Sequence, residues 1–355
     1  MASALSLITL VGHKYGKNAS VVVFPTTKED VAFAVQTLNK TKQGKEFAFV
    51  AGANCQTNAS TATKFIIDLS WLNQTQVLKK VKGATAGSNY TAVGARVGSV
   101  GAGGSSNGGD VGFLAGAYGY ASDRLAAMEV VLMNGKIVNA TKTNQYKNPF
   151  WALQRGGGHF FPADLANGLF ALNTLLVTLR FDGRNRATQK SANATFPRID
   201  DGLTITATNN LNSSYRHMTQ SINGFFPFLF RRDFYGPQAQ IITLGYLANG
   251  TALLNRYVAD IAAAGDIPAS SIWTPQYMYP GLNGNLPKSD ADTAWPHARA
   301  EHQTLFSPAW RNVVDDVIMK DANWELNGKK FDKQIYDYPN YISPGVKAKG
   351  VGGIT

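Results

Sequence analysis

The chain has a single cysteine, Cys55, so no intrachain disulfide can form. That points to a reducing compartment. It has five histidines, and none is spaced with other acidic or thiol groups as metal ligands are. His297 and His302 lie five positions apart, about 140° around a helix, so they cannot share an ion. No run is long and apolar enough to span a bilayer. No G-x-x-x-x-G-K-[ST] or strict G-x-G-x-x-G occurs, which removes the two usual phosphate signatures, and no G-x-S-x-G elbow argues for a hydrolase. Charged residues make up only 16% of the chain, and although lysine and arginine bring its net charge to +11, they are scattered. Neither the Lys79–Lys82 patch nor the 180–190 stretch is interleaved with aromatics as a nucleic-acid surface is. No nucleic-acid or membrane partner is expected, and no metal.

What the chain does have is glycine. The run Arg96–Gly119, RVGSVGAGGSSNGGDVGFLAGAYG, holds nine glycines and no lysine. Val97, Val100, Val111, Phe113, Leu114 and Tyr118 are interleaved with them, so the run packs and is no flexible linker. Bare backbone lets another group approach closely, and clustered N–H groups suit phosphate. A glycine-rich array of turns without a ligand explains the same residues almost as well.

At 355 residues, 44% of them hydrophobic, the chain is globular and has room for two domains. Val21–Phe24 reads as a strand, and Pro25 ends it. Thr26-x-x-Glu29 predicts a capping box ahead of a helix carrying Val31, Ala34, Val35 and Leu38. FAFV (Phe47–Val50) and FIIDLS (Phe65–Ser70) read as further strands, which makes an α/β unit. AGANCQT follows the first of these as a turn of small residues. Leu125–Leu132 reads as buried, and Asn134-Gly135 predicts a hairpin turn into Lys136–Val138. Ala171–Phe181 reads as a strand. After a polar boundary near residues 182–190, QIITLGYL reads as a strand and Ala252–Ala264 as a helix, giving a second unit with an antiparallel sheet. Nine N-x-[ST] sequons, at Asn18, Asn39, Asn58, Asn73, Asn89, Asn139, Asn193, Asn212 and Asn249, favour a secreted or secretory-pathway glycoprotein. The amino-terminal stretch MASALSLITLVG makes a poor signal peptide for that destination.

The segments FPTTKEDVAFAVQ, FAFVAGANC, FIIDLSWLN, the long glycine run with its Tyr-Gly ending, AMEVVLMNGKIVNAT, NPFWALQRGGG, SPAWRN and YPNYI cover most of the chain in order. Together they resemble the flavoproteins with a PCMH-type FAD-binding domain, specifically the berberine-bridge-like oxidases of fungi and plants. The resemblance implies an α+β protein: a PCMH-type FAD-binding domain over residues 1–184, in two α/β subdomains (about 1–85 and 86–184). An α+β substrate domain with an antiparallel sheet follows over 185–325. A segment over 326–355 returns to the FAD domain and is shorter than in the family.

The implied activity is hydride transfer from an alcohol, sugar or amine C–H to flavin, with oxygen as acceptor, by a monomer acting on a small-molecule substrate. The resemblance assigns cofactor contacts to Gly52, Ala53, Asn54, Cys55 and Gln56 in the first loop. In the glycine run it assigns them to Val97, Gly98, Val100, Gly103, Gly104, Gly108, Gly109, Tyr118 and Gly119, and beyond it to Ala121, Val138 and Asn340. Tyr338 and Tyr341 in YPNY are the implied catalytic residues, a tyrosine base requiring a shift from its free pKa near 10. Trp310 and Arg311 are read as fixing the substrate domain to the cofactor domain.

The departures from the family matter too. Asn54 stands where many relatives attach flavin through a histidine, and Ala121 where bicovalent members have cysteine. FAD is therefore expected to be non-covalent, with Cys55 a small buried thiol. Two other readings stay open: a degenerate member that binds FAD weakly or not at all, and a non-enzymatic basic secreted glycoprotein.

Overall fold

The computed structural model describes residues 18–41, 46–52, 60–74, 93–109, 112, 120–154, 165–170, 175–180, 220, 230–233, 235, 237–239, 242–268, 271–276, 302–312 and 334–337. Three short strands, β1 (Val21–Val23), β2 (Phe47–Val50) and β3 (Phe65–Asp68), form a parallel sheet in the order β1-β3-β2. Between β1 and β2 the chain crosses over through helix α1 (Lys28–Lys40), as parallel strands require.

The helix starts one residue later than its sequence pattern suggests. Thr27 is the N-cap and accepts from Asp30 N at 3.1 Å. Asp30 Oδ2 in return accepts from Thr26 N, Thr26 Oγ1 and Thr27 N. These bonds, led by the one from the Thr26 backbone, hold the Asp30 carboxyl below the usual aspartate range. The box is thus T-x-x-D, not the T-x-x-E one position earlier. Val31, Val35 and Leu38 recur at helical spacing and bury against Ile67, flanked by Phe47 and Phe65 of the same sheet face. The opposite face carries Val22, Ala48, Val50 and Ile66 into a second cluster with Ala62.

Strands β4 (Ala127–Val131) and β5 (Ile137–Thr141) form the expected hairpin. Gly135 at its turn has φ +81°, the left-handed region glycine enters freely. The hairpin packs against α1: Val131 joins the α1 cluster, and Lys28 Nζ meets Glu129 Oε1 at 2.7 Å. Burial along β4 is lighter than its apolar run suggests. Ala127 and Glu129 are exposed and the other positions half-buried, so no residue of β4 is fully buried.

The larger sheet is antiparallel throughout, in the order β13-β9-β11-β10-β6-β7. Its strands are β6 (Leu165–Phe170), β7 (Leu175–Arg180), β9 (Pro237–Ala239), β10 (Ile272–Gln276), β11 (His302–Ser307) and β13 (Gln334–Asp337). A two-stranded ladder of β8 (Arg231–Arg232) and β12 (Ala309–Trp310) accompanies it.

QIITLGYL is not a strand through its length. Thr243 caps a 20-residue helix, Leu244–Ala263, by accepting from Tyr246 N. Tyr246, Gly250, Leu253, Leu254, Tyr257 and Ile261 form its buried stripe, and this helical period overrides the short apolar run. The stripe packs into Tyr235, Trp273, Phe306 and Trp310. A Cβ on Gly250 would overlap the Trp273 indole carbons, so glycine is what admits that ring.

Trp310 is fully buried in this aromatic core. Arg311 caps the network beside it: its N–H donates to Asp266 Oδ2 at 2.8 Å, and its guanidinium lies 4.8 Å from the Phe230 ring centre. Among the described residues, Trp310 packs within the second unit's aromatic core and Arg311 against Asp266 and Phe230. Arg232 is buried on β8 and donates to Ser307 Oγ at 3.0 Å, and its desolvation pushes the guanidinium down to about 9.

Candidate functional site

β2 ends at Val50 and hands the chain to Ala51 and Gly52. The glycine run begins about fifty residues later, yet the two segments touch. A Cβ on Gly52 would overlap Gly101 N and stand 2.6 Å from Ser99 O and 2.8 Å from Gly101 Cα. The reverse also holds: a Cβ on Gly101 would overlap Gly52 N and stand 2.9 Å from Ala51 Cβ. Two main chains lie in contact here, and only a pair of glycines permits it. Gly101 is absent from the residues the sequence singled out. Its signal was present, one more glycine in a run of them, but which glycine meets Gly52 depends on a distant segment.

From this junction the run turns into a short helix, α2 (Ala102–Asn107), with Gly101 at its N-cap. Gly103 and Gly104 lie in its first turn, exposed, with nothing within 4 Å of the position a Cβ would take. Val97 and Val100 are half-buried just before it, and a Val100 N to Val97 O bond of 3.1 Å closes the turn between them around exposed Gly98. Gly108 and Gly109 are buried after it, and Gly109 takes φ +108°.

Gly109 O accepts from Ser122 N at 3.0 Å, tying the end of the run to a 3-10 turn at Ala121–Arg124. Ala121 is buried in that turn. Gln154, at the C-cap of α3 (Lys147–Leu153), donates from Nε2 to Ser122 O at 2.9 Å. Gln154 is the second residue the sequence reading passed over. Val138 is buried on β5. Ala53, Asn54, Cys55, Gln56, Tyr118, Gly119, Tyr338, Asn340 and Tyr341 lie outside the described residues.

The first loop and the glycine run therefore meet through backbone, while Gly103 and Gly104 leave open space beside the junction. Such a surface fits a flat, twice-charged ligand such as FAD, which needs backbone donors and room more than side chains. Among the described residues no three histidine, cysteine or acidic groups lie together as a metal site. No described helix is long and apolar enough to cross a membrane.

No family model matches the chain. An FAD-linked oxidoreductase of Aspergillus terreus is 31% identical over 160 residues, 40% of this chain and 31% of that protein's length. The match thus spans under a third of that relative. Among solved structures, 6-hydroxy-D-nicotine oxidase from Arthrobacter nicotinovorans aligns with a TM-score of 0.70 at 15% identity, over 98% of this chain and 88% of the other. A berberine bridge enzyme variant described as a reticuline dehydrogenase aligns at 0.68 and 15%, over 98% and 85%. The chain is similar in sequence to FAD-linked oxidoreductases and has the α+β fold of PCMH-type FAD-binding oxidoreductases, as its segments imply.

Proposed function

We propose that this chain is an FAD-dependent oxidoreductase that oxidises an alcohol, sugar or amine C–H, with oxygen as acceptor. One observation carries the reading: the two segments whose sequence resembles the FAD-binding loops make contact at Gly52 and Gly101, backbone to backbone. Bound FAD would supply hydride acceptance, chemistry that no side chain provides. The chain's part is to hold and orient the cofactor. The first loop, from Gly52 through Ala53, Asn54, Cys55 and Gln56, and the turn at Gly103, Gly104, Gly108 and Gly109 would present N–H groups to the pyrophosphate. Val97 and Val100 would cover apolar parts, with Gly98, Tyr118, Gly119, Ala121, Val138 and Asn340 completing the contacts. Tyr338 and Tyr341 are the proposed acid–base pair at the substrate.

With asparagine at 54 and alanine at 121, neither of the family's attachment groups is present, so the cofactor is held without a covalent bond. Purified protein should be yellow, and acid precipitation should leave flavin in the supernatant. A colourless protein that takes up no added FAD would leave the degenerate or non-enzymatic readings. Flavin staying with the precipitate would point to attachment through Cys55.

Glycosylation in a secretory pathway belongs to the same proposal. Asn18, Asn39, Asn73, Asn139 and Asn249 all have exposed side chains, as acceptor sites require. Endoglycosidase should lower the apparent mass of protein made in a eukaryotic host, and an unchanged mass would argue against it.

A further inference from the structure

We propose that the side-chain oxygen of Gln154 accepts a hydrogen bond from the bound cofactor, at the end of the glycine run. The inference rests on the FAD reading above.

Gln154 is 1% exposed. Its Nε2 donates to Ser122 O at 2.9 Å, and a carbonyl can only accept, so the amide's orientation follows from this bond. The nitrogen faces Ser122 and the oxygen faces away. That oxygen is buried and has no hydrogen-bond partner among the described residues. Buried side-chain polar atoms are nearly always paired, so its donor is to be sought in a ligand.

The place is specific. Ser122, which holds the amide nitrogen, also donates its own N–H to Gly109 O, so Gln154 is two bonds from the glycine run. Arg155 and the glycines 156–158 follow it directly in sequence. An acceptor oxygen repels phosphate oxygens, so its partner is not the pyrophosphate. The cofactor's donors are its hydroxyls and its ring N–H groups. The site would then divide its labour, with backbone N–H groups at the glycine run for the anion and the Gln154 oxygen for a neutral donor beyond it.

The test compares FAD dissociation constants of the full chain and two variants by flavin fluorescence, with the melting temperature of each flavin-free protein measured alongside. Gln154→Met removes both ends of the amide. Loss of the Ser122 bond should lower its melting temperature, and loss of the acceptor should weaken FAD binding about tenfold, the worth of one ordinary buried hydrogen bond. Gln154→Glu separates the two roles. It offers an acceptor oxygen whether protonated or ionised, and only its donor to Ser122 depends on the proton, so it should bind FAD more tightly than Gln154→Met.

If Gln154→Met folds and binds FAD as tightly as the unmodified chain, the oxygen is satisfied within the protein and the proposal falls. It falls equally if the glutamate variant, which keeps an acceptor oxygen, binds FAD no more tightly than the methionine variant. If the unmodified chain itself gives no FAD response, the parent reading fails, an outcome distinct from either of these.

Discussion

At Gly52 and Gly101 two main chains touch, and at Gly250 a helix backbone receives the Trp273 indole. Both sites exclude a methyl group, but their neighbours differ. In the amino-terminal half the obstacle is backbone, which has nowhere to retreat. In the other half it is a side chain inside a core of aromatic rings, where repacking relieves part of the strain. The first contact joins the two segments proposed to hold FAD; the second joins parts of a core. Closeness of packing alone thus does not mark a ligand site. What marks it is which segments the contact joins.

The comparison breaks or sharpens under substitution. Gly101→Ala should cost about 3 kcal/mol of stability, the upper end for overpacking, since the new methyl meets backbone. It should also abolish FAD binding, and a variant that binds FAD normally would remove the junction from the site. Gly104→Val tests the open ground next to it. No described atom lies within 4 Å of its Cβ position, so the flavin-free protein should melt close to the unmodified one. What should vanish is the gain from added FAD, about 2.7 kcal/mol at a free concentration 100 times Kd. A retained FAD-dependent rise in melting temperature would mean the open space is only solvent.

Gly250→Ala should cost about 2 kcal/mol while leaving the FAD dissociation constant unchanged. Made together with Trp273→Phe, which shortens the ring, the two losses should not add, as expected for residues in contact. Additive losses in denaturant titration would contradict the collision at Gly250.

The smallest effect belongs to the α1 cap. Thr27→Ala should cost about 1 kcal/mol. Asp30 shares that cap with its carboxyl held below its ordinary value of 3.8, so its contribution is fully present above that value. The contribution fades as pH falls through the lowered one. The stability difference between the unmodified chain and Asp30→Asn should therefore be constant near neutrality and shrink in acid, and a difference that grew in acid would reverse the assignment.

Where a structural feature rests on neighbours in sequence, the sequence disclosed it. Asn134-Gly135 makes its hairpin turn, and the helix after Pro25 appears where its periodicity puts it, displaced by one residue because Thr26 and Thr27 both carry a capping hydroxyl. QIITLGYL misled because a short apolar run suits strand and helix alike; Thr243, the N-cap that decides it, lies inside the run. The sheet order β1-β3-β2 and the Gly52–Gly101 junction depend on residues far apart, so no local pattern encodes them. Gly103 and Gly104 were legible as glycines that mattered. That Gly101 bears the contact was not.

The Gly52–Gly101 junction also bears on the order of folding. It closes a loop of about fifty residues, and although the entropy of closure rises only by about 0.6 kcal/mol per doubling of length, such contacts form after local ones. Helix α1 and the β4–β5 hairpin can assemble early, whereas the junction waits for the intervening chain to settle. On the FAD reading, a newly made chain passes through a period in which its own elements exist but its cofactor surface does not. Flavin that binds only the closed form would stabilise it by mass action, so the cellular abundance of this protein should rise with flavin supply.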